Sequence, residues 1–94
     1  MKVIFAPEAE QDLLAALEFL GSRNPAVAAQ LYRNVTELVR RLAEGDFEGP
    51  QRRLRSGAIV RSWPVSPYRI YYQREEDILR IVRIYHQARR PITR

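Results

Sequence analysis

Three features of this 94-residue chain predict an α+β fold of order β-α-α-β-β-β, a helical hairpin packed on a small antiparallel sheet. Apolar residues recur at helical spacing through most of the first half. Strand-type runs fill the stretch from Ala58 to Tyr85, and Gly, Pro, Asn and Asp punctuate both regions at intervals short enough for tight connections. A single domain over residues 1–94 accommodates all of this, because domains commonly run to about 100–150 residues.

Lys2 to Phe5 reads as a short strand stopped by Pro7, whose fixed φ and missing N–H suit the first turn of a helix. From Glu8 to Leu20, Ala9, Leu13, Ala16, Leu17 and Leu20 recur on one helical face. Glu8, Glu10 and Asp12 occupy the first turns, where the helix dipole favours negative charge; that complementarity accounts for the three acids without a catalytic role. Gly21-Ser22-Arg23 breaks the pattern, and Asn24-Pro25 restarts it as N-cap and first helical residue. The second helix is expected from Pro25 to Glu44, with a seam of Ala28, Leu31, Val35, Leu38 and Leu42, and Gly45 ends it. That seam either packs on the domain's own sheet or leaves part of an apolar groove open to a partner.

Asp46 to Gly57 is a polar connector, a loop or a frayed strand. Three strands follow, Ala58 to Val65, Tyr68 to Arg74 and Ile78 to Tyr85, linked by turns short enough for an antiparallel meander with the first strand beside it. Pro64 cannot donate to a ladder and belongs at a strand end, a bulge or an unpaired edge. Alternation groups Arg69, Tyr71 and Gln73 against Tyr68, Ile70 and Tyr72, and Leu79, Ile81, Arg83 and Tyr85 against Arg80, Val82, Ile84 and His86. Either row of the last strand suits the helices, and a bulge would exchange them.

Composition narrows the chemistry. The chain has no cysteine and one histidine, which removes disulfides, thiolate nucleophiles and multi-histidine metal sites; no metal and no cofactor are expected. No apolar run approaches the ~20 residues of a membrane span, so a cytoplasmic protein without membrane association is expected. The net charge of +5 is unevenly spread. Residues 1–48 carry five Lys or Arg against eight Asp or Glu, a balance of −3, while residues 49–94 carry eleven Arg against three acids, a balance of +8. Such asymmetry favours an anionic partner, nucleic acid or an acidic protein segment; the bland alternative is arginine decorating solvated faces.

On one uncovered face, Arg61, Arg69 and Arg83 would offer bidentate donors to phosphates, and Tyr71 or Tyr85 would stack on an unpaired base. Alternatively these arginines pair with Glu75, Glu76, Asp77 or the helix acids, and the tyrosines are sheet packing. His86 is the single histidine of the chain. It is either a proton shuttle for RNA cleavage, with Arg61, Arg83 and Arg89 as cationic partners, or a hydrogen-bonded residue fixing the end of the last strand.

The segments Pro7 to Leu13, Arg61-Ser62-Trp63-Pro64-Val65 after Gly57, Pro67-Tyr68-Arg69-Ile70-Tyr71-Tyr72 and Arg83-Ile84-Tyr85-His86-Gln87-Ala88-Arg89 together resemble the ParE/RelE superfamily of toxins from type II toxin–antitoxin modules, on the ParE or plasmid-stabilisation side. The resemblance implies the same helical hairpin on a small sheet. It implies a cognate ParD-like antitoxin whose acidic, amphipathic C-terminal segment wraps the toxin, with Leu13, Leu17, Leu31, Val35 and Leu38 as the groove it would fill. It also implies one of two targets: DNA gyrase, bound directly, or ribosome-associated messenger RNA, cut by a RelE-like endonuclease. Lys is absent after Lys2 and no Phe, Trp or Tyr follows Tyr85, departures that favour the gyrase branch over the nuclease. A non-toxic member that only binds its antitoxin is the third reading. The target face expected on either branch comprises Arg61, Arg69, Tyr71, Arg83 and Tyr85.

Overall fold

The computed structural model describes residues 1–46 and 48–88. Their elements are β1 (Lys2–Phe5), α1 (Pro7–Gly21), α2 (Pro25–Ala43), β2 (Gln51–Arg53), β3 (Ile59–Val65), β4 (Tyr68–Glu75) and β5 (Ile78–His86). Local chemistry sets the boundaries. Pro7 opens α1 without a side-chain cap, whereas Asn24 Oδ1 accepts from the Val27 N–H to cap α2. Gly45, at φ 78, takes the left-handed conformation that ends α2.

The five strands lie in the order β1-β5-β4-β3-β2. The sheet is mixed, because β1 pairs parallel to β5 while every other neighbour is antiparallel. The expected connector holds an additional strand, β2, whose three residues pair with Arg61, Val60 and Ile59. It is short, polar and exposed along its length, so no alternation marks it in the sequence. Pro64 lies on β3 beyond the reach of β2. Ser62 N–H points to that side and donates to Pro50 O, so by alternation the missing N–H of Pro64 faces the same open edge.

Both helices pack on one side of the sheet. Leu31, Val35, Leu38, Val39 and Leu42 of α2 and Ala9 and Ala16 of α1 meet Val65, Tyr68, Ile70, Tyr72, Leu79, Ile81 and Ile84. Tyr72, Leu42, Ile70, Leu79, Ile81 and Val35 are almost wholly excluded from solvent, each contributing on the order of 1.5–3 kcal/mol of transfer free energy. The seam of α2 is therefore core.

One bulge decides the geometry of the C-terminal half. Tyr72 sits opposite Ile81 and Tyr71 opposite Arg83, leaving Val82 as the extra residue. Leu79 and Ile81 face the helices before it, and Ile84 and His86 after it. The expected grouping of Arg83 and Tyr85 with Leu79 and Ile81 is thus corrected: they share the opposite, distal side with Arg80. None of the helices among the described residues is long and apolar enough to cross a membrane.

Candidate functional site

Register carries four of the five expected face residues to the distal side. Arg69 lies across from Tyr85 and Tyr71 across from Arg83. The rings of Tyr71 and Tyr85 meet edge to face at 6.3 Å between centroids, and the Arg83 guanidinium sits 4.5 Å above the Tyr85 ring. Arg69 donates to Ser62 Oγ at 2.8 Å, which satisfies a fully buried hydroxyl on the same side. Tyr71 is 5% exposed, so it is packing and presents no open ring face.

Arg61 is the exception. Its register partner is Tyr72, a core residue, which puts Arg61 on the helix side. There it donates to Gly49 O at 2.8 Å and pairs with Glu48, which also holds Arg74. Arg61 was expected beside Arg69 and Arg83; the two-residue period of β3 separates them.

Arg83 is clasped by α1. Its Nε and Nη2 donate to Asp12 Oδ2 and Oδ1 at 2.8 and 3.0 Å, and the Ile84 N–H donates to Oδ2 at 2.9 Å. These hydrogen bonds, chiefly, hold the guanidinium in its charged form more firmly than usual, with burial opposing and the Asp12 charge assisting. The arrangement follows from strand lengths. β1 covers β5 only as far as Ile81, whose carbonyl takes the Ala6 N–H, and Asp12 supplies the next acceptor along that edge. Asp12 is the residue the sequence reading passed over as a dipole acid. Its position one helical turn beyond Glu8, level with an unpaired strand edge, appears only once β1 and β5 are known to be parallel neighbours.

His86 faces the helices, with its ring edge to face with Tyr68 at 5.2 Å and its Nδ1 accepting from the Ala88 N–H at 3.0 Å. This is the strand-end role, and alternation along β5 turns His86 and Arg83 to opposite sides of the sheet. Arg61 sits at the other end of β4, level with Tyr72 whereas His86 is level with Tyr68. Arg61, Arg83 and His86 are therefore not brought together. Arg89 lies outside the described residues. Among those residues no group of three His, Cys, Asp or Glu side chains could hold a metal ion.

The groove expected along Leu13, Leu17, Leu31, Val35 and Leu38 is filled. Leu31, Val35 and Leu38 are buried and Leu13 and Leu17 are half-buried against the core, because the sheet takes the apolar faces of both helices. A different cleft stays open, of about 510 Å³, where one stripe of α1 (Asp12, Ala15, Ala16 and Phe19) faces Tyr68, Ile84 and His86. Small Ala15 and Ala16 leave it space, and Phe19, 55% exposed, forms its apolar rim. On the distal side, a second cleft of about 450 Å³ lies where Leu54, Arg55 and Ser56 approach Ala6, Glu8, Arg83 and Tyr85.

Comparison with curated proteins returns no match. A solved structure described as the chromosomal ParDE TA system from P. aeruginosa is similar, with a TM-score of 0.71 at 20% identity, over 92% of this chain and 95% of that one. At that identity the likeness speaks for the fold. The family model for the ParE toxin of the type II toxin-antitoxin system parDE matches residues 3–91, nearly the whole chain, and with the helical hairpin, the parallel β1–β5 pair and the antiparallel β3–β4–β5 sheet in place, the protein belongs to the ParE toxin family.

Proposed function

We propose that this chain is the toxin of a type II module that inhibits DNA gyrase in the cytoplasm by direct binding and is neutralised by a cognate ParD-like antitoxin. Membership of a toxin–antitoxin family implies the antitoxin partner. The observation that carries the gyrase reading is the dispersal of the candidate nuclease groups. RNA cleavage needs a base, an acid and a cation around one phosphate, yet Arg61, Arg83 and His86 occupy three separate places and Arg83 is already engaged by Asp12. What remains is a binding surface: Arg69, Arg83 and Tyr85 on the distal side offered to the target.

The antitoxin is assigned to the α1 cleft in place of the filled groove. An apolar side chain from its C-terminal segment would seat beside Ala15, Ala16 and Phe19, and its acidic residues would turn toward the arginine-rich half. Parallel assays on the purified protein test the reading. Lost gyrase supercoiling with accumulated DNA breaks, reversed by antitoxin, is the expected result. Messenger RNA cleavage in a translating extract with gyrase unaffected would instead establish the endonuclease, and growth unaffected by expression without antitoxin would establish a non-toxic antitoxin binder.

A further inference from the structure

We propose that the distal sheet face, extended by the β2–β3 hairpin, binds the phosphate backbone of duplex DNA. This goes beyond gyrase binding and rests on where charge is placed. The ion pairs of the described residues sort by side. Arg40, Arg41, Arg61 and Arg74 are matched by Glu37, Glu44, Asp46 and Glu48 on or beside the helices, and Arg83 is matched by Asp12. Among the described residues, seven arginines form no ion pair with a carboxylate: Arg23 and Arg33 on or beside the helices, Arg53 on the helix side of β2, and, away from the helices, Arg52, Arg55, Arg69 and Arg80.

Register gathers the last four. Arg52 lies across from Val60, on the side opposite Arg61, and Arg80 lies across from Gln73 and Ile4 on that same side. Arg69 shares it through Tyr85, and Arg55 reaches over it where the hairpin tip closes on Arg83 and Tyr85. β2 and β5 are three strand spacings apart, about 14 Å at ~4.8 Å each. That is on the order of the ~12 Å major-groove width that separates two phosphate rows. Glu8 at the second cleft and Glu75 at the end of β4 bound the surface.

A duplex is favoured over single strands because the aromatic groups are spent. Tyr71 is buried, and one face of Tyr85 is covered by Arg83, so little ring surface is open for a base to stack on. Guanidinium groups without stacking platforms recognise phosphates.

The test is fluorescence anisotropy of the full chain with a labelled duplex of roughly 20 base pairs and with each separated strand, at salt from about 50 to 200 mM. Duplex binding that outcompetes either strand is expected, with log K falling against log salt at a slope of about −3.6, from four phosphate contacts at about 0.9 each. Arg52→Gln/Arg55→Gln/Arg80→Gln should weaken it at least tenfold and flatten the slope. The control Arg33→Gln/Arg40→Gln/Arg41→Gln on α2 removes the same charge and should change affinity less than threefold; circular dichroism verifies that both variants are folded. No duplex binding at the lowest salt, tighter binding to a single strand, or equal losses in the two variants would each overturn the proposal. Gyrase assays on the same preparations keep the two readings apart: duplex binding without gyrase inhibition retains this one and sinks the other.

Discussion

Asp12 and Arg83, 71 residues apart in the chain, close the stretch of β5 that β1 is too short to cover. One carboxylate there does two jobs, binding a guanidinium bidentately and accepting the Ile84 N–H. Asp12→Ala should therefore lower stability by about 2 kcal/mol, since a partly buried charge and a strand-edge donor lose their partner together. In a domain of this size that is roughly a 10 °C drop in Tm. Asp12→Asn should lose about half as much, because its amide oxygen still accepts from Ile84. In a cycle with Arg83→Ala, the double variant should be less destabilised than the sum of the singles. Additive losses would show that the two side chains lie close without energetic coupling.

Gly49 is fixed by contact. A Cβ there would lie 1.8 Å from Ser62 O and 3.2 Å from the Trp63 ring, and backbone cannot retreat as a flexible side chain would. Its N–H donates to the Tyr72 hydroxyl at 2.8 Å, and its carbonyl accepts from Arg61 at 2.8 Å. Gly49→Ala should cost more than about 3 kcal/mol or prevent folding. Tyr72→Phe, which only strands the buried Gly49 N–H, should cost about 1–2 kcal/mol. Urea denaturation of both variants checks the ordering.

The fold was legible where one residue type repeats its message. The helical spacing of Leu31, Val35, Leu38 and Leu42, the Asn24-Pro25 start and the turns around Pro67 and Asp77 each specify local structure independently of what packs on them. The candidate site was less legible, since it depends on which side of the sheet a residue faces. Val82 supports strand structure as well as its neighbours do, so nothing in its identity announces that it is the extra residue moving Arg83 and Tyr85 away from Leu79. Arg61 alternates correctly within β3, but its side is fixed by Tyr72 in another strand. Asp12 needed the parallel placement of β1, a long-range relation that alternation does not encode.

Glu76, in the two-residue turn between β4 and β5, holds φ at 53, a conformation a side chain disfavours. Glu76→Gly should raise stability by about 0.5–1 kcal/mol, read as a Tm higher by a few degrees. Its exposure means no packing is lost. A lower Tm would show that the Glu76 charge matters more than its backbone.

Acid should act late at the end of α2. Arg40 takes both Glu37 and Glu44 at 2.6 Å, and its hydrogen bond holds the Glu37 carboxyl below the usual carboxylate range. A carboxylate whose folded value is depressed stabilises fully above its unfolded value and loses that contribution as pH falls through the folded one. Helicity should be flat from neutral pH down to about pH 5 and decline only below about pH 4.5, more gently in Arg40→Gln. Raising the salt should shrink the difference between the two proteins, because both partners are exposed. A decline already under way at pH 6 would contradict this assignment.

Phe19 offers the sharpest separation of binding from stability. It is 55% exposed at the rim of the α1 cleft, its ring is covered on one face by Arg23 at 4.0 Å, and it lies outside the buried core. Phe19→Ser should shift Tm by less than about 3 °C, in keeping with surface substitutions of within about 0.5 kcal/mol. If the antitoxin seats an apolar side chain there and so buries the Phe19 ring within the interface, the same change should weaken the toxin–antitoxin complex by at least tenfold, since a desolvated interface anchor is worth about 2 kcal/mol or more. Ala15→Trp, one helical turn from Phe19 on the same wall, fills the cleft and should act in the same direction. The measurement is calorimetric titration of each variant with antitoxin. Unchanged affinity in both would move the antitoxin off this cleft, leaving the family assignment intact but its docking surface elsewhere on the molecule.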